Sequence, residues 1–157
     1  QILHAVPGCA VASDQFCRRY DLAIDFCEDV PALSSAQVDR IAELMRQAGM
    51  TAKVSSIHVN GWFGDWDKLS MAKLMMQERY GMTLSEHVDQ MVFVGDSPND
   101  APMFAAFAHA VGVSNVRDSL DRLTHRPTWV TESPGGLGFV ELVDRLLALR
   151  ARGAASV

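Results

Sequence analysis

Two carboxylates and a carboxamide follow an apolar run in this chain: Val92-Phe93-Val94-Gly95-Asp96-Ser97-Pro98-Asn99-Asp100. Strong β-formers lead to a glycine, and an acidic turn containing a proline comes next. Oxygen ligands in that arrangement suit a hard cation. Mg²⁺ takes one or two carboxylates and fills its remaining positions with waters and phosphate oxygens. Ligand sites of open α/β sheets lie just outside the carboxyl ends of the strands, which is where Asp96 stands. The same residues also have a purely structural use. Asp and Asn are good helix N-caps and Pro suits a first turn, so Asp96 and Asn99 could simply start a helix over Pro98–Phe107. The local pattern leaves both readings open. It does exclude an EF-hand, because Ala101 and Phe107 occupy the sixth and twelfth positions, where Gly and Glu belong.

The elements that must position this loop can be read from the periodicity. A helix is expected from Asp67 to about Tyr80, stopped by Gly81. Strand Met91–Val94, helix Pro98–Phe107, strand Ala110–Val113, a short helix around Val116–Leu123, strand Thr128–Val130 and helix Leu137–Arg150 follow. Strands alternating with helices indicate a parallel sheet. The earlier part reads differently. Cys9–Ala12 and Tyr20–Phe26 are expected as strands, with Leu22, Ile24 and Phe26 alternating inward. A helix runs from Ser34 or Ser35 to about Ala48, ended by Gly49. Ala52–Val59 is expected as one further strand, and Asn60–Gly64 as a loop or crossover. The expected fold class is α/β: a Rossmann-like parallel half-sheet plus part of an α+β domain. The expected divisions are residues 1–60, 61–150 and a flexible tail, 151–157.

Gly95-Asp96-x-x-Asn99-Asp100 after an apolar strand resembles the acidic fourth motif of the haloacid dehalogenase (HAD) superfamily, in the sugar-phosphatase, Cof-type (IIB) branch. That branch carries a lysine one helix upstream, and Trp66-Asp67-Lys68 matches it. Gly64-Asp65-Trp66-Asp67-Lys68 is also similar to a stretch of the eukaryotic phosphomannomutases of the same superfamily. Pro127–Thr131 and Val140-Glu141-Leu142-Val143 resemble the last strand and helix. The resemblance covers roughly Ser55 to Leu149 well and the first part loosely, as a partial cap domain.

The resemblance implies a Mg²⁺-dependent phosphohydrolase acting on a small phosphorylated metabolite, a sugar phosphate, through an aspartyl-phosphate. Asp96 would be a direct metal ligand. Asp100 would belong to the metal site too, orienting metal-bound water, or would pair with the lysine, and Asn99 would contact phosphate or substrate. Lys68 would lie close to the phosphate. Lys73 competes for that role, but residues five apart on a helix point about 140° away from each other, so only one can face the site. Lys68, at the helix start, is preferred. Arg18 and Arg19, in the connection between the first two strands, are candidate grips for an oxyanion, since guanidinium binds such groups bidentately.

The superfamily's nucleophile motif, Asp-x-Asp-x-[Thr/Gly] after an apolar first strand, does not occur in the sequence. Asp21-Leu22-Ala23-Ile24-Asp25 has the wrong spacing, and Glu28-Asp29 lacks the strand. The expectation is therefore a C-terminal portion of a longer enzyme, inactive alone and prone to self-association. A phosphomutase and a non-catalytic binding module are the alternatives.

Bulk properties narrow the partners. A net charge of −5 with no basic tract argues against nucleic acid. The apolar runs are too short to span a bilayer. Cys9, Cys17 and Cys27 form no Cys-x-x-Cys pair and are expected to be reduced in a cytoplasmic protein. Gly135-Gly136-x-Gly138 is not a dinucleotide fingerprint, because no further βαβ unit and no ribose-binding acid follow it.

Overall fold

The computed structural model describes residues 1–154, so of the expected tail only Ala155, Ser156 and Val157 lie outside the described residues. The chain folds as two units, Gln1–Asp67 and a second that begins at Lys68.

The first unit contains α1 (Ile2–Ala5), β1 (Ala10–Val11), β2 (Asp21–Asp25), α2 (Ser35–Gln47), β3 (Thr51–Val54) and β4 (His58–Trp62). Its sheet is antiparallel, in the order β1-β2-β4-β3. The single strand expected over Ala52–Val59 is in fact the hairpin β3–β4. Its turn has no Gly or Pro to mark it. Instead the Ser55 hydroxyl donates to the His58 carbonyl at 2.9 Å and accepts from the His58 N–H at 3.0 Å. The period-two alternation continues on both sides of the turn, so the pattern reads as one strand. Asn60 and Gly61, expected in a loop, are paired with Ala23 and Leu22 of β2. α2 starts with a capping box in which Ser34 and Gln37 satisfy each other's backbone N–H. It lays Val38, Ile41, Ala42 and Met45 on Ile24, Ala52 and Val59 of the sheet.

The second unit contains α3 (Lys68–Tyr80), β5 (Val92–Gly95), α4 (Ala101–Ala106), β6 (His109–Gly112), β7 (Trp129–Val130) and α5 (Gly135–Ala154). Its three strands are parallel, in the order β5-β6-β7, with Gly95 opposite Gly112. Parallel neighbours need a crossover, and α4 supplies the one from β5 to β6. The helix expected around Val116–Leu123 is a 3-10 turn at Ser114–Ser119, and α5 begins at Gly135 rather than Leu137. Met103, Phe104 and Phe107 pack under the sheet with Ala110, Val116 and Leu84. The other sheet face meets α5 across an open apolar groove of about 870 Å³, lined by Val92, Val111, Trp129, Leu142, Leu146 and Leu149. Trp129 is 52% exposed there. No described helix is long and apolar enough to cross a membrane, and the three cysteines are unpaired.

Candidate active site

β5 delivers the acidic loop at its carboxyl end, and the loop is held from beneath by its own last residue. Asp100 is 3% exposed. Its Oδ2 accepts from the backbone N–H of Asp96 at 2.9 Å and of Ser97 at 3.2 Å. Its Oδ1 pairs with the Lys68 ammonium. The carboxylate therefore folds back across Gly95. A Cβ at Gly95 would lie 2.5 Å from Asp100 Oδ2, so only glycine lets the side chain return under the strand end. Pro98–Asp100 form a 3-10 turn that runs directly into α4, with Ser97 at its N-cap. The Ser97 hydroxyl donates to Asn99 Oδ1 at 2.7 Å. Ser97, rather than Asp96 or Asn99, caps the start of the helix, because Asp100 folds back to it, and the loop presents Asp96 beside the Lys68–Asp100 pair.

The residues proposed from sequence divide between the units. Lys68, Asp96, Asn99 and Asp100 belong to the second unit, where Lys68 and Asp100 are in direct contact. Lys73 is exposed. Arg18 and Arg19 belong to the first unit. The Arg18 guanidinium is bidentate to Asp14, with Nε–Oδ1 2.8 Å and Nη2–Oδ2 2.9 Å. It also bonds Asp21 Oδ2 at 2.8 Å and Asn60 Oδ1 at 3.4 Å. These carboxylates, Asp14 foremost, raise the Arg18 pKa; Asp21 ties the arginine to β2 and Asn60 ties it to β4. Arg19 is exposed. His58 is buried at the start of β4, with Nε2 2.9 Å from Glu28 Oε2. Asp65-Trp66-Asp67 has an Asp-x-Asp spacing, but Leu69 stands where the motif needs Thr or Gly. It lies past the end of antiparallel β4, where Trp66 stacks on Trp62 with ring centroids 4.9 Å apart.

Among the described residues no group of three or more His, Cys, Asp or Glu could hold a metal ion. The loop fits a cation as a single-carboxylate donor, since Asp100 is fully engaged and Asp96 is half-buried at the strand end. One carboxylate with waters and phosphate oxygens is within what Mg²⁺ accepts.

One residue of this site carried no signal in the sequence reading. Asn115, in the 3-10 turn after β6, donates from Nδ2 to Asp96 Oδ2 at 3.0 Å. Its position outside the carboxyl end of the strand next to β5 is the clue that could have found it.

No protein-family model matches this sequence, and no curated protein does. Solved structures do match. The sucrose-phosphatase of Synechocystis, solved with sucrose and phosphate, superposes with a TM-score of 0.60 over 92% of this chain and 59% of its own, at 19% identity. This likeness is one of fold, a mixed α/β arrangement of HAD-like, Rossmann type. The Thermoplasma acidophilum protein 0175 gives a TM-score of 0.57 over 90% of this chain and 57% of its own, at 17% identity. A Streptococcus mutans protein, SMU.1108c, gives 0.53 over 82% and 45%, at 15% identity. The chain thus spans less than two thirds of each of these structures.

Proposed function

We propose that this chain carries the lysine and acidic-loop side of a phosphatase-type hydrolase site. Its substrate would be a small phosphorylated metabolite, a sugar phosphate, and its cofactor Mg²⁺. The observation that supports this best is the Lys68–Asp100 pair closed beneath the Asp96 loop at the end of β5. A lysine anchored by a buried carboxylate is a fixed positive charge. Charge on the equatorial oxygens of a transferring phosphoryl group is stabilised by such a charge without reorganisation. Asp96 would hold the cation, which when bound offsets phosphoryl charge. Asn99 would meet phosphate or substrate. Arg19 is the better placed of the two arginines to meet a solute, because Arg18 is engaged by Asp14 and Asp21. The HAD-like fold and its likeness to a sucrose-phosphatase support the reaction class and substrate class. A cytoplasmic location belongs to the same proposal, in keeping with unpaired thiols.

In this reading the attacking aspartate, which accepts the phosphoryl group as an aspartyl-phosphate, is not among these 157 residues. The chain alone would then turn over no phosphate ester. The test is phosphate release from a panel of sugar phosphates with MgCl₂, comparing this chain with the complete product of its gene. Release by the complete product, lost with Asp96→Asn and Lys68→Met and absent from the isolated chain, is expected. No release from any ester by the complete product would overturn the proposal, and turnover by the isolated chain that is lost with Asp96→Asn would overturn the inactivity of this chain alone.

A further inference from the structure

Asn115 makes two bonds that join separate parts of the second unit. Its Nδ2 donates to Asp96 Oδ2, and its Oδ1 accepts from the Gly135 N–H at 3.0 Å. The two bonds also fix which way the amide faces. A flipped carboxamide would set oxygen against the carboxylate and NH₂ against an N–H, so only one orientation satisfies both neighbours. Gly135 is the first residue of α5 and has φ +49°. The turn leading to it is itself held, because the Glu141 carboxylate accepts from Glu132 N and Ser133 N at 3.0 Å each. At Gly138 a Cβ would stand 2.3 Å from the Ser133 carbonyl, so the helix start is packed directly on that turn. Asn115 is therefore anchored on one side to a rigid element. Its other side engages one oxygen of the Asp96 carboxylate and leaves Oδ1 outside that bond.

We infer that Asn115 is a positioning residue for Asp96: it locks the carboxylate so that Oδ1 is the oxygen offered to a divalent cation. This rests on the reading of the Asp96 loop as a cation site. A carboxylate free to rotate presents its two oxygens alternately, whereas one with an oxygen tied down by a donor presents the other at a constant place. Outer partners of this kind change metal affinity by roughly 10–100-fold when removed.

The test uses this chain and Mn²⁺, followed through paramagnetic broadening of the Ser97 amide signal. Wild type should broaden at the lowest Mn²⁺ concentration. Asp96→Asn should abolish the effect. Asn115→Leu, close in shape but without either bond, should weaken affinity about 10–100-fold while the second unit still unfolds cooperatively in urea. Should the leucine fail to fold, Asn115→Ser, which is too short to span both partners, replaces it with the same expectation. A measurement on wild type needs no variant: with Mg²⁺, the Asn115 side-chain NH₂ and the Gly135 N–H should shift on the same isotherm as Ser97. Wild-type affinity in an Asn115 variant, or a Ser97 shift that leaves Asn115 unmoved, overturns the role of Asn115 and leaves the cation site standing. Broadening that is absent, or indifferent to Asp96→Asn, overturns the cation site and with it the role of Asn115.

Discussion

Replacing Asp100 by alanine should damage the second unit far more than removing its lysine partner. The two ends of this ion pair are unequal. Asp100 has a side chain 4% exposed, whereas that of Lys68 is 46% exposed. Alanine at Asp100 strands the Asp96 and Ser97 N–H groups, the latter buried, and takes away the acceptor under β5. A hydrogen bond to a charged group contributes about 1.5 kcal/mol at the lower end, so the two together set a loss near 3 kcal/mol. The half-exposed ammonium is screened, but its loss leaves a buried carboxylate without a countercharge, so Lys68→Met should cost less than Asp100→Ala, about 1 kcal/mol. Asp100→Asn keeps an acceptor but loses the charge and should fall between, near 1.5 kcal/mol. The assay is urea unfolding followed by the methyl resonances of Val111 and Val116, which report the second unit alone. If Asp100→Ala lowers stability no more than Lys68→Met, the carboxylate is a surface ion-pair partner, and the argument that it shapes the loop fails.

Three further outcomes are expected. Burial of Asp25 by itself raises its pKa, but the backbone N–H groups of Glu28, Asp29 and Cys27 outweigh this and hold the carboxyl below its ordinary 3.8. Its folded pKa being depressed, its contribution is present above the unfolded pKa and lost as pH falls through the folded one. Asp25→Asn should therefore weaken the first unit at neutral pH and flatten its loss of stability below about pH 4, read by urea unfolding against pH; an unchanged acid limb would refute the assignment. Ser34→Ala should cost about 1 kcal/mol by breaking the capping box of α2, with amide exchange fastest in its first turn; protection unchanged at Gln37 and Val38 would count against the cap. The apolar groove between the sheet and α5 should drive self-association, seen as concentration-dependent sedimentation that Leu149→Glu reverses; a monodisperse monomer at high concentration would contradict this.

The second unit was largely legible because its signals are local. β5, the glycine and the acidic turn form one contiguous segment, and each residue type there has its own steric or electrostatic reason. The short parallel strands were readable from apolar runs between helical patterns. The first unit was harder. Its β3–β4 turn is made by a serine side chain, and alternation carries straight through it, so two strands looked like one. α1 has four residues and buries none of them, and so leaves no periodic trace. Asn115 was invisible for another reason. Its importance lies in two partners, 19 and 20 residues away, that only the pairing of β6 with β5 on one side and β7 on the other brings within reach. The commitment of Arg18 to Asp14 and Asp21 likewise depends on how the chain folds back, although the spacing of Asp14 and Arg18 permitted it.

The glycine at the end of β5 and the carboxylate folded beneath it also have a thermodynamic consequence. The loop's shape is set by protein–protein bonds on both flanks, Asp100 below and Asn115 beside, so an arriving ion has almost no chain left to order. Small metal domains that fold only around their ion behave in the opposite way, and there the binding free energy is folding free energy. A cation taken up at Asp96 would register in a calorimeter mainly as exchange of hydration water, with a heat-capacity change near zero, and the melting of the unit would rise only by mass action.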